Sequence, residues 1–132
     1  MVAQDWTGPW QQVGAGKPAL AHDWAQLVSP YGPEGTGRAE VQLHLRGHLE
    51  TLHDALLAGP PDRAAAAGVG AGLVALELAR PEVVEVTVAV LGDRLLAELG
   101  LDEATFSGPL HALLGALAAG FTRALLAAVA PD

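Results

Sequence analysis

Pro81-Glu82-Val83-Val84-Glu85-Val86-Thr87-Val88-Ala89-Val90-Leu91 is the stretch on which the fold turns. Val84, Val86, Val88 and Val90 alternate with Glu85, Thr87 and Ala89, as in a half-buried strand. A strand here has no second strand to pair with, and the helical reading accounts for more of its surroundings. Val84, Val88, Leu91, Leu95 and Leu99 form one seam, and Pro81 suits the first helical position. Glu82 and Glu85 favour the positive helix start, and Gly100 supplies a cap at the end. The pattern predicts a helix from Pro81 to Leu99 and, with it, an all-α chain.

Toward the amino terminus, Asp62 is placed to cap a helix running through Ala64, Val69, Leu73, Leu76 and Ala79. Before it, Val41, Leu45, Leu49, Leu52 and Leu56 fall in one narrow sector at about 100° per residue, which predicts an amphipathic helix over Arg38 to Ala58. Thr36 is its expected N-cap and Gly59-Pro60-Pro61 its stop. A shorter helix starts at Pro18, carries Leu20, Trp24, Leu27 and Val28, and ends at Pro30. Residues 1–17, with Trp6, Pro9, Trp10, Gly14 and Gly16, show no period and are expected to form a tail or docking arm.

Toward the carboxyl terminus, Leu101 to Gly108 reads as a linker with room for a short turn. Ser107 and Pro109 open a last helix with Leu110, Leu114, Leu117, Phe121, Leu125 and Ala128 as its core face and Pro131 as its stop. Residues 18–132 thus form one domain, with about five helices in a bundle or globin-like arrangement.

Composition narrows the function. The chain has 132 residues, 51% of them hydrophobic and 17% charged, enough for one core and too apolar for a disordered chain. The absence of cysteine excludes disulfides, thiolate catalysis and cysteine-held zinc. A net charge of −8, with Lys17 and six scattered arginines, leaves no basic stripe for nucleic acid. Met1 to Trp6 lacks the basic and apolar regions of a signal peptide. Leu110 to Ala130, interrupted by His111 and Arg123, falls short of roughly 20 clean apolar residues and is expected to be a buried helix rather than a membrane span. A cytoplasmic location is expected.

The candidate constellations have structural explanations. Gly68-Val69-Gly70-Ala71-Gly72 looks like a phosphate loop, but no strand precedes it and the apolar period runs through it. Gly68 and Gly72 lie on one helix face and are expected to admit a neighbouring helix, with Pro81 as the third packing position. His44 and His48 have the i, i+4 spacing of metal ligands, with His22, His111 or a carboxylate as the only outside third ligand, and are expected at the border of an apolar face. No metal and no cofactor is assigned. Glu82 with Glu85, and Asp102 with Glu103, are accounted for by helix starts. Ser29, Ser107, His111 and Asp102 supply the residue types of a hydrolase without its motif contexts, so no catalytic residue is assigned.

The order of elements resembles a known family. Asp23-Trp24-Ala25, Leu45-x3-Leu49-x2-Leu52, Val69-Gly70-x2-Leu73-Val74, Arg80-Pro81-Glu82 and Val90-Leu91-Gly92 are similar to the amino-terminal helical domain of actinobacterial signalling proteins with GGDEF and EAL (diguanylate cyclase and phosphodiesterase) modules. The similarity covers about Ala19 to Leu126. It implies a non-catalytic sensory or regulatory input domain of cyclic-di-GMP signalling, relaying a ligand or dimerisation state through its last helix. A homodimer, downstream GGDEF/EAL modules and an unidentified small ligand are the implied partners. Neither a GGDEF nor an EAL signature occurs in the chain itself. The alternative is a globin-like haem or small-molecule sensor with a pocket lined by Trp24, His44, His48 and Phe121.

Overall fold

In the computed structural model, residues 16–33 and 37–129 are described, and they form a helical bundle without strands. Five α-helices follow in order: α1 Lys17–Val28, α2 Arg38–Leu57, α3 Arg63–Ala75, α4 Pro81–Leu99 and α5 Glu103–Val129. A 3-10 turn, Ser29–Tyr31, extends α1. Most of the expected tail, together with Thr36 and Pro131, lies outside the described residues. Gly16 and Lys17 do not belong to a tail, since Gly16 caps α1 and Lys17 is its first residue.

The valine-rich stretch is helical, and Gly100 adopts the left-handed conformation (φ 70°) that ends α4. The buried side of α4 differs from the expected seam. Val83, Thr87, Val90, Leu91, Leu95 and Leu96 are buried, whereas Val84 and Val88 are half-buried. Valines occupy several faces of this helix, so hydrophobicity alone does not select one. Contacts with α1 on one side and α5 on the other do.

Helix α2 is built as expected, with Val41, Leu45, Leu49, Leu52 and Leu56 all buried, although Gly37 rather than Thr36 precedes its first turn. Asp62 caps α3, its carboxylate accepting from the Ala65 N–H at 3.1 Å. That helix stops at Ala75, four residues before the expected Ala79. Leu78 N–H donates to the Leu73 carbonyl at 3.0 Å and Glu77 N–H to that of Val74 at 2.8 Å, with Glu77 at φ 65°. This is a Schellman ending in which a glutamate takes the place usually held by glycine. Burial of Leu78 beside Leu73 anchors it. Arg80 lies over the Tyr31 ring, 5.8 Å from its centroid, tying the α3–α4 loop to the turn after α1.

The largest departure is at the start of α5. Leu101 to Gly108 is not a linker, because the helix begins at Glu103 and carries Pro109 in its interior. Asp102 is the cap, accepting from the Thr105 N–H at 2.8 Å and the Thr105 hydroxyl at 2.7 Å. Its carboxyl pKa is lowered by the Thr105 hydroxyl and then by the Thr105 backbone N–H. The Asp102 cap thus starts the helix ahead of the start expected at Ser107 and Pro109. Leu110, Leu113, Leu114, Leu117, Gly120 and Phe121 form the buried face, while Leu125 is half-buried and Ala128 exposed.

At 27 residues α5 spans about 40 Å, against about 20 Å for the 13 residues of α3. By length and composition alone it is long and apolar enough to cross a membrane, with a mean hydropathy of 1.8 over its most apolar window, 28% of which is buried in the fold. Within the bundle the same apolar content packs against α2, α3 and α4.

Candidate functional site

The closest helix pair is α3 with α5. A Cβ built on Gly70 falls 2.1 Å from the Leu117 carbonyl oxygen and 2.6 Å from the Phe121 nitrogen, and one built on Gly120 falls 2.1 Å from the Ala67 oxygen. The two backbones therefore touch at a crossing that only glycine permits on either side. The sequence places this contact at Gly68 and Gly72, and the structure moves it. Gly68 meets nothing within 4 Å, while a Cβ on Gly72 lies 2.7 Å from Cε1 of His48, so Gly72 seats an imidazole of α2 rather than a helix backbone. Residues two apart on a helix point to different sides, which is why Gly70 reaches α5 when its neighbouring glycines do not. Pro81 is exposed at the first turn of α4 and acts there as a helix start.

The four pocket candidates occupy separate environments. Trp24 is fully buried between α1 and α4, with Nε1 donating to Thr87 Oγ1 at 2.9 Å. Phe121 is buried at the α3–α5 crossing. His48 is half-buried against Gly72, and His44 is exposed. Burial, and secondarily the charge of His44, pushes the His48 pKa down. Among the described residues no group of three or more metal-ligating side chains is assembled.

Two basic residues tie helices of the scaffold together. Arg94 pairs with Asp23 across α1 and α4 and with Glu98 at 2.9 Å, and its pKa is raised first by the hydrogen bond to Asp23 and then by that to Glu98. Lys17 reaches Glu50 at 2.8 Å and lowers its pKa.

A cleft absent from the sequence reading opens where α4 ends and α5 begins. It is a half-open cleft of about 490 Å³, with Leu96, Leu110 and Leu114 as buried floor and Asp93, Glu103 and His111 around it. On α4, Asp93, Leu96 and Ala97 share a face by their i, i+3, i+4 spacing, and on α5 Glu103, Ser107, Leu110, His111 and Leu114 share another. The signal for it was present in this spacing. A linker over Leu101 to Gly108 offers no such face, and only the helical start at Glu103 aligns these residues.

Among the described residues these features define an all-α bundle with a backbone-tight helix crossing and an amphiphilic cleft. Comparison with family models, curated proteins and solved structures gives no match.

Proposed function

We propose that this chain is a non-catalytic sensory or regulatory input domain, in which repacking of α3 against α5 changes the presentation of the end of α5 to a second copy of the domain. The observation that carries the reading is the form of α5. Its middle is locked to α3 by Gly70 and Gly120, while its last turns leave Leu126 and Val129 62% and 69% exposed. Closely packed interfaces move between discrete arrangements more readily than they deform continuously. Three glycines within five residues soften α3 and lower the cost of such a change.

The exposed apolar end of α5 supports a homodimer. Sedimentation velocity over a concentration series tests it. The expected result is a reversible dimer that Leu126→Glu with Val129→Glu converts to monomer at unchanged helicity. A wild-type chain that stays monomeric at high concentration overturns the dimer.

The narrower assignment, to cytoplasmic cyclic-di-GMP signalling with GGDEF and EAL modules as partners, rests on the resemblance of motif order alone. Its test is an in-frame fusion of a diguanylate cyclase module after Asp132. Cyclic-di-GMP formation is expected to change with the same two α5 substitutions, and equal output from both fusions overturns it.

A further inference from the structure

We propose that the α4–α5 cleft is a binding site for a small amphiphilic ammonium compound, an apolar chain or ring ending in a protonated amine. The volume of about 490 Å³ lies within the roughly 300–1,000 Å³ typical of small-ligand sites. Its floor is apolar, formed by Leu96, Leu110 and Leu114, which are 8%, 5% and 8% exposed. Such a floor holds a hydrocarbon body and does not select charge.

Selection of charge comes from the walls. Asp93 of α4 and Glu103 of α5, both exposed acidic residues, line the cleft from opposite helices, and no lysine or arginine lines it. Neither carboxylate forms an ion pair with a described side chain. Arg94, the nearest basic residue on α4, is engaged by Asp23 and Glu98. Ser107 and His111 add hydrogen-bonding groups on the same face of α5. The net charge of −8 attracts a cation at long range and disfavours an anion.

Gly92 keeps the α4 wall open. A Cβ there meets only Leu114 Cδ1, at 3.6 Å, an ordinary contact. A larger side chain at this position extends into the cleft without displacing backbone, which gives a way to close the site in a folded protein.

The inference names an input for the regulatory reading, and its biological consequence rests on that reading. Binding itself is measured separately, so its failure leaves the dimer test untouched. The experiment is chemical-shift titration of the ¹⁵N-labelled chain with 4-phenylbutylammonium, 4-phenylbutanol and 4-phenylbutyrate, equal in apolar body and different in charge.

The ammonium probe is expected to bind about fivefold more tightly than the alcohol, as two exposed carboxylates allow, and the carboxylate most weakly. Its shifts should centre on Leu96, Leu110, His111 and Leu114. Asp93→Asn with Glu103→Gln should bring ammonium and alcohol to equal affinity, and Gly92→Leu should abolish binding of both at unchanged helicity. Equal affinity of the wild-type chain for ammonium and alcohol, shifts centred away from the cleft, or no saturable binding of the ammonium probe each overturn the proposal.

Discussion

The α3–α5 crossing and the α1–α4 contact join helices of one bundle by opposite means. At the first, backbone lies on backbone, and the constraint is volume. At the second, Trp24 fills the space with Thr87 accepting its indole N–H, and Arg94 ties Asp23 to Glu98, so the constraint is polarity. One contact fails when an atom is added, the other when a partner is removed. The charged part is incompletely satisfied, since Glu98 Oε1 is buried without a hydrogen bond.

The strongest way to break this contrast is Gly120→Ala, which sets a methyl 2.1 Å from the Ala67 oxygen. Backbone cannot step aside as a side chain can, so a loss of about 3 kcal/mol or more is expected in urea denaturation. Gly70→Ala should behave alike. A loss below about 1 kcal/mol for both shows that the helices separate easily.

On the other side, Thr87→Val keeps the shape and removes the acceptor, leaving the Trp24 N–H unpaired. The expected cost is about 1–3 kcal/mol, with a shift in tryptophan fluorescence. Trp24→Phe in the Thr87→Val background should cost less than the two single losses combined.

Two substitutions sharpen the comparison by raising stability. Gly68→Ala adds a methyl where nothing lies within 4 Å, and should stabilise α3 by about 0.5–1 kcal/mol. Glu77→Gly relieves a left-handed glutamate at φ 65° and should give about 1 kcal/mol. Thermal denaturation checks both, and a destabilised Gly68→Ala chain assigns that face a contact outside the bundle.

The smallest effect is one of pH. The neutral His48 ring is favoured in the fold because its pKa is lowered by burial and then by His44. Its stabilisation is complete above the usual imidazole value of about 6.5 and declines as pH falls below that value toward the folded one. His48→Gln should flatten the stability profile in that window. An unchanged profile means that the ring titrates equally in folded and unfolded chains.

Much of this architecture was legible in the residues. Pro81 and Gly100 mark the alternating valines of α4 as a helix, and five apolar positions at helical spacing mark α2. Two elements depart from the sequence pattern for physical reasons. At α5, a local competition between Ser107-Gly108-Pro109 and the Asp102 cap went to the cap, which hid the cleft. At α3, a glutamate accepted a left-handed turn because Leu78 gains burial from it.

The sequence by itself determined an all-α fold for the described residues, where most helices begin and which side of α2 is apolar, because caps, prolines and periodicity act within a few residues. Tertiary structure decided which glycine touches a neighbour, which face of α4 turns inward and where a cleft opens. Those outcomes depend on helix rotation and crossing, set by the combined demands of every surface packed against each helix. Gly68, Gly70 and Gly72 are identical as residues, and only the position of α5 makes Gly70 the one at which its backbone can approach.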